Sequence, residues 1–520
     1  MGENQRLYIN DLGDKHFHVP NLLSIQLDSY YDFMQADVDP HERSRTGLQE
    51  VFLETFPIRD FTENIILEFI EYNLGHPAAK GCPSLSAERP QTCLMEECPS
   101  CSKEYVFYHF RERTYRLRFS PEDCQKRDLT YGIPLNMRIR LINKISGEIK
   151  EQELFVVNMP LVTTRGTFII NGTERVIVSQ LHRSPGVFFD HDKGKATNQT
   201  KLLYSARIIP YRGSWLDFEF DTKDLLYFRI DRKRKIVATV FLKSLGMSAK
   251  EILETFYNVE KYTKVSGGWK VAFNLADFKG KLIPFDVVSA ADKKVKLAKD
   301  TKVTSLTIKK LKDEKLSEII LKDEDIIGAV IADDYQKDDM DKISVGTKIT
   351  DENIAQIAKL SELNLISFST VESNPYLYNT LVSDKTQTEE DALLDIYKIL
   401  RPGDPLSVDA AREIFSGLFF KEDKYDLSVV GRVKINERLA IDVPEEIQLL
   451  TKDDVLGTVK ILIDLKLNNS DSDDIDHLGN RRVRSVGELV ENQFRIGLVR
   501  VQRAIQERMN SVEKIGRAHV

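Results

Sequence analysis

Four of the five cysteines, Cys82, Cys93, Cys98 and Cys101, fall within one window of twenty residues. Their spacing, Cys82-x10-Cys93-x4-Cys98-x2-Cys101, is compatible with three chemistries. Four thiolates can close a tetrahedral structural zinc site, with Cys98-Pro99-Ser100-Cys101 as a knuckle and Cys82 and Cys93 as the remaining ligands. Against zinc stands the wide gap between the first two cysteines, which suits unligated thiols as well. A redox Cys-x-x-Cys is the third reading, weakened because no helix start that would lower a thiol pKa is evident there. In a reducing compartment such a cluster points to metal or redox chemistry before disulfides. Cys124 stands apart and reads as a structural thiol.

A second group of residues suits polyanions. Between Arg183 and Lys243 there are thirteen Lys or Arg against seven Asp or Glu, whereas the whole chain carries 74 basic and 81 acidic residues and a net charge of -7. A nucleic-acid footprint is therefore local. Lys193-Gly194-Lys195 is the better phosphate candidate; the run Arg232 to Lys235 reads first as a solvated turn face. Trp215, one of two tryptophans, is either a core side chain or a stacking face, and Asp476 with Arg481 reads from residue types alone as a surface ion pair. His182 and His477 lack a metal-ligand partner at suitable spacing and read as packing or hydrogen-bonding groups. The sequence contains neither a Ser-His-Asp arrangement nor a glycine-rich phosphate loop; Gly431-Arg432-Val433 and Ser266-Gly267-Gly268 read as turns.

The run Asn171-Gly172-Thr173-Glu174-Arg175-Val176-Ile177-Val178-Ser179-Gln180-Leu181-His182-Arg183-Ser184-Pro185-Gly186-Val187-Phe188-Phe189 closely resembles the β subunit of bacterial RNA polymerase. The resemblance continues from Ala206 through Glu219, at Leu400-Arg401-Pro402-Gly403-Asp404-Pro405 and Tyr425-Asp426-Leu427-Ser428, and from Asp474 through Arg482 into Glu491-Asn492-Gln493-Phe494-Arg495. It covers only the first part of that subunit, the protrusion and lobe. By this resemblance Arg183, Asp476 and Arg481 line a pocket for an unstacked guanine of the non-template strand, and Trp215 stacks on the neighbouring base. Val178, Ser179 and Gln180 match a strand at the border of the rifamycin pocket. The resemblance further implies a nucleotidyltransferase whose magnesium ions sit on the partner subunit, so this chain holds no catalytic residue. The implied partners are β′, the α dimer, ω, a σ factor, DNA and nascent RNA. Two departures stand out: residues 75–113 are longer and richer in cysteine than the family suggests, and the family's catalytic segments lie beyond this chain.

The elements that must position these residues follow from periodicity. At 520 residues, 42% hydrophobic and 30% charged, the chain is too long for one core and too apolar for disorder. It lacks a secretory leader pattern and a membrane-length apolar run, which points to the cytoplasm without membrane contact. The expected fold class is α+β and multidomain: a mixed α/β protrusion and lobe with an inserted α+β subdomain in the lobe. The expected boundaries are 1–175 for the first part of the protrusion, with the Cys-rich insertion at 75–113, and 176–254 for the first part of the lobe. The insertion follows at 255–385, the second part of the lobe at 386–482, and the return to the protrusion leading toward the fork at 483–514. Asn171-Gly172 between β-branched runs predicts a type I′ hairpin. Strands are predicted at Ile65 to Tyr72, Met137 to Ile142, Glu153 to Val157, Ala206 to Pro210, Trp215 to Asp221, Leu226 to Asp231 and Ile236 to Leu242. Helices are predicted from Val19 to Met34, with Pro20 near the start, near Asp351 to Leu363, at Glu390 to Leu400, Val408 to Phe419 and Lys452 to Leu467, and from Val486 to about Met509.

Residues 515–520, Ile515-Gly516-Arg517-Ala518-His519-Val520, lack periodicity and equal one reading frame of a common sequencing adapter, so the biological sequence is expected to stop near Lys514. The rival reading is a free-standing or split-gene module that binds nucleic acid or polymerase, with a structural zinc loop. Sequencing the locus across the codon for Lys514 separates the two. A frame that continues into catalytic segments is the expected result, and a stop codon after Val520 would favour the rival.

Overall fold

A computed structural model describes residues 21–75, 106–192, 202–273, 282–304, 318–336, 343–468 and 470–518, apart from scattered single positions within them, and also residue 309. The chain is a multidomain α+β protein that divides into two compact units, residues 1–182 with 482–520, and residues 183–481.

The first unit is built on a four-stranded antiparallel sheet in the order Ile58–Arg59, Ile65–Leu74, Gly132–Asn143, Glu148–Pro160. Alternation along Gly132–Asn143 buries Ile133, Leu135, Met137 and Ile139. The helices Ser24–Met34, Gly47–Thr55 and Val486–Ala518 belong to the same unit and contribute Tyr30, Phe52, Val486 and Leu498 to its core. The expected Asn171-Gly172 hairpin forms between Phe168–Ile170 and Thr173–Arg175, with φ of 49° and 73° at the two turn residues. Only glycine fits the second position, because a Cβ there would lie 2.6 Å from Asp128 Oδ1 and 2.8 Å from Asp128 Cα.

The second unit begins with a five-stranded antiparallel meander: Gly186–His191, Tyr204–Ile209, Leu216–Phe220, Leu226–Ile230 and Ile236–Val237. Its inward phenylalanines, Phe218 and Phe228, meet Phe241, which in turn packs on Phe415 and Phe419 with ring centres 5.5 and 5.7 Å away. A seven-stranded sheet between residues 259 and 366 carries a further cluster of buried side chains around Trp269, Ile319, Leu363 and Leu365. Its entry strand Val259–Val265 and exit strand Glu362–Ile366 are antiparallel neighbours, with Val259 opposite Ile366. The helices Glu389–Leu400, Val408–Phe419, Ser428–Leu439 and Lys452–Asn468 close the unit.

Five expectations about elements need correction. The stretch Ile236 to Leu242 is a strand only to Val237; Ala238–Ser244 is a helix whose every residue is buried, Thr239 and Lys243 against Asp384 included, so no exposed side reveals its period. The helix expected near Asp351 to Leu363 is one turn, Ile354–Ile357, after which Glu362–Ile366 completes the sheet. Gly431-Arg432-Val433 lies inside the helix Ser428–Leu439, not in a turn. Val178 and Ser179 precede the strand Gln180–Arg183 instead of belonging to it. The last helix runs past Met509 to Ala518.

Arg432 is the reason for the third correction. Its side chain and that of Asp454 are fully buried and paired, Nη1 to Oδ1 at 2.7 Å. Nε also donates to the Ile447 carbonyl at 2.7 Å, and Nη2 donates to that of Leu449. Asp454 in turn accepts from the Thr451 amide at 2.7 Å, capping the helix Lys452–Asn468. Removing one partner leaves the other charge buried and uncompensated, a cost of about 3–5 kcal/mol. Arg432→Ala should therefore abolish amide exchange protection along Ser428–Leu439 and Lys452–Asn468 while leaving that of Gly132–Asn143 intact. Hydrogen exchange read by mass spectrometry checks this, and unchanged protection in both helices would refute it.

Candidate nucleic-acid interface

Arg183, Trp215, Asp476 and Arg481 all fall in the second unit. Arg183 ends the strand Gln180–Arg183, which pairs with Arg481–Arg484 in a two-stranded sheet. Asp476 lies on the loop that leads into Arg481–Arg484, and that loop is held firmly. The Asp473 amide donates to the Phe189 carbonyl at 2.9 Å, and the Phe189 amide donates to Asp473 Oδ2 at 2.9 Å. Arg438 Nη2 reaches Asp473 Oδ1 at 2.7 Å, while Lys434 Nζ donates to Ser184 Oγ at 3.0 Å and to the Gly479 carbonyl at 2.9 Å. The Ser184 amide closes the frame on the Asn480 carbonyl at 3.0 Å. Within the loop, Asp474 Oδ1 accepts from the Asp476 amide at 3.0 Å and His477 Nδ1 accepts from the Gly479 amide at 3.1 Å. These local bonds spend Asp474 and His477 on loop shape and leave the Asp476 side chain exposed.

Arg183 is half-buried, and its electrostatic surroundings identify its neighbours. Burial, then the like charge of Arg207, pushes its guanidinium below the ordinary arginine value; Asp190 and Asp476 pull it back, and Arg232 adds a smaller push. Asp476, more than 290 positions from Arg183 in sequence, is therefore among its electrostatic neighbours.

Trp215 is not the core tryptophan; that role falls to Trp269, which has no exposed surface and donates Nε1–H to Asp323 at 2.8 Å. Trp215 is partly exposed, at the start of the strand Leu216–Phe220. Its approach is set by Gly213, with φ of 128°, where a Cβ would come within 2.6 Å of the Tyr425 ring. Reciprocal backbone bonds between Arg212 and Asp426, at 3.0 and 2.8 Å, hold that turn. Across the hairpin, the Trp215 amide donates to Asp231 Oδ1 at 2.8 Å and the Asp231 amide donates to the Trp215 carbonyl at 3.0 Å. The guanidinium carbons of Arg207 and Arg232 lie 5.7 and 5.3 Å from the indole centre, within cation–π range.

Arg207 and Arg232 are the residues that sequence reasoning did not single out. The available signal was strand register: Leu216 pairs with Ile230, so Trp215 and Asp231 must face each other and Arg232 must follow. Lys193, Lys195 and the four clustered cysteines, Cys82, Cys93, Cys98 and Cys101, lie outside the described residues. Val178 and Gln180 belong to the first unit, both exposed, Val178 to 72%. Among the described residues no group of acidic, histidine or cysteine side chains has the arrangement of a metal site, and no helix is long and apolar enough to cross a membrane.

The meander thus carries basic and aromatic groups beside a pinned polar loop. The pattern that defines the family "RNA polymerase Rpb2, domain 2" matches residues 183–352 and 319–484, and the chain belongs to this RNA polymerase family. It is 42% identical over 508 residues to the DNA-directed RNA polymerase subunit beta of Caulobacter vibrioides (strain NA1000 / CB15N), covering 95% of this chain and 34% of that protein. To the subunit of the same name from Syntrophotalea carbinolica it is 43% identical over 530 residues, covering 97% of this chain and 35% of the relative. The chain thus spans about a third of the length of the curated relatives it matches.

The two tryptophans give a direct check on the site. Trp215→Phe should remove the acrylamide-accessible part of the tryptophan emission and leave the shielded emission of Trp269. Equal quenching before and after the substitution would contradict the exposure described.

Proposed function

We propose that this chain forms one wall of the DNA cleft of a DNA-directed RNA polymerase, as the protrusion and lobe of its β subunit, and that it contacts downstream duplex and the non-template strand. What supports this best is the gathering of Arg183, Asp476 and Trp215, with Arg207 and Arg232, in the unit that the family pattern covers.

In this reading Arg183, Asp476 and Arg481 read an unstacked guanine. The Asp476 carboxylate accepts from N1–H and the N2 amino group, and the guanidinium groups donate to O6 and N7. The Trp215 indole takes the neighbouring base on its face, worth about 1–3 kcal/mol in base–aromatic stacking. The strength of the site lies in its rigidity: the loop is bonded to the strand Gly186–His191 and to the helix Ser428–Leu439 before any base arrives, so little ordering entropy is lost on binding. Lys193 and Lys195 are assigned to backbone phosphates, and Val178 and Gln180 to the rim of the rifamycin pocket.

Nucleotidyl transfer belongs to the assembled enzyme, with magnesium held by the β′ partner; the α dimer, ω and a σ factor complete the complex, in the cytoplasm at the nucleoid. The contribution of this chain is to hold strands in place while phosphoryl transfer proceeds elsewhere. The cysteine cluster is assigned a structural role, with zinc as its candidate ion.

Asp476→Ala or Arg183→Ala, placed in the full-length subunit of the assembled polymerase, should reduce the preference for guanine at one non-template position by about 1–3 kcal/mol. Measuring promoter-complex lifetimes on templates with each base at that position tests it, and an unchanged preference sinks the pocket.

A further inference from the structure

The strands around Trp215 carry cations, yet most of them are already neutralised. Arg207 Nε pairs with Asp217 Oδ1 at 2.5 Å, Arg229 with Glu219 at 2.7 Å and Lys235 with Asp221 at 3.3 Å. The acidic side of the sheet is consumed by these cross-strand pairs. Arg232 differs. It is exposed, it forms no ion pair among the described residues, and its contact is the face of Trp215 at 5.3 Å. It also acts on Arg183 with like charge, while the carboxylate of the turn, Asp231, is bound to the Trp215 amide.

The position of Arg232 is built into the backbone. Asp231 and Arg232 both adopt left-handed conformations, with φ of 48° and 59°. Aspartate tolerates that region, as glycine and asparagine do, whereas an arginine such as Arg232 is disfavoured there. The conformation is held by the paired bonds between Asp231 and Trp215 described above. Those bonds fix the backbone of Arg232 beside the ring that its guanidinium approaches. A guanidinium beside an indole face, without an ion-pair partner among the described residues, suits a phosphodiester whose own base lies on that indole.

We propose that Arg232 binds the backbone phosphate of the single-stranded DNA nucleotide that stacks on Trp215, and orients the ring for it. This rests on the stacking role given to Trp215 above. A phosphate contact carries no base information, so its signature differs from that of Asp476: weaker binding to every sequence, and a salt dependence shallower by about 0.7 in the logarithmic slope for a single strand.

The test uses the full 520-residue chain and fluorescein-labelled single-stranded deoxyoligonucleotides of different sequence, followed by anisotropy across a potassium chloride series. Arg232→Ala should weaken binding about tenfold for all sequences and flatten the salt slope by about one contact. Arg232→Lys should restore the slope but only part of the affinity, since a point charge replaces a fork. Arg234→Ala, an equally exposed neighbour, should change little. If Arg232→Ala and Arg234→Ala weaken binding equally, the effect is bulk charge and the proposal fails. If Trp215→Ala weakens binding and Arg232→Ala does not, the proposal fails while the stacking role stands. If Trp215→Ala binds as the unaltered chain does, the stacking role itself falls and Arg232 with it.

Discussion

The buried pair of Arg432 and Asp454 is the constraint on which the second unit is arranged. A guanidinium with no exposed surface must have its donors satisfied, and here they are spent on a carboxylate and on the carbonyls of Ile447 and Leu449. That requirement fixes the helix Ser428–Leu439 against the start of Lys452–Asn468. The inner face of the first helix presents Arg432, Ile435 and Leu439 to the core, while Lys434 and Arg438, four residues apart on the outer side, reach the loop that carries Asp476. The residues just before the helix, Tyr425 and Asp426, hold the Gly213 turn that precedes Trp215. Two distant pieces of the candidate interface are thus referred to a single internal anchor.

Charge is distributed by the same economy. The chain is acidic overall, at -7, and the meander uses its carboxylates to pair with its own arginines and lysines. What remains outside those pairs is a small number of cations near Arg183. In the proposed role, a modest positive spot on an acidic molecule restricts where a polyanion can settle and keeps nonspecific affinity low.

Much of the architecture was legible in residue order. The Asn171-Gly172 hairpin, the strands around Ala206 to Pro210 and Leu226 to Asp231, and three of the later helices follow from turn chemistry and period; along the two strands, for instance, buried and less buried residues alternate. The signal failed where burial is complete. Ala238–Ser244 has no exposed face to reveal a helix, since even its polar Thr239 and Lys243 turn inward to Asp384, and Arg432 looks like a turn residue until its carboxylate partner, 22 residues away, is seen. The candidate site divides along the same line. Arg183, Trp215, Asp476 and Arg481 stood out by resemblance, whereas Arg232 was hidden in a charged run that resembles any solvated turn. Its distinction comes from strand register and from the pairing of its neighbours, neither of which is local in sequence.

The connections of the second unit bear on how such a chain can change. It is entered at Arg183 and left at Arg481, on strands that are hydrogen-bonded neighbours, and within it the seven-stranded sheet is entered at Val259 and left opposite it at Ile366. A segment whose two ends emerge side by side closes a loop that its own sheet already holds shut, so the entropic penalty of added length grows only logarithmically. Evolution can then splice, enlarge or delete material at these paired doorways with little effect on the surrounding core. The fold is in that sense a set of nested brackets, open to new text inside each pair.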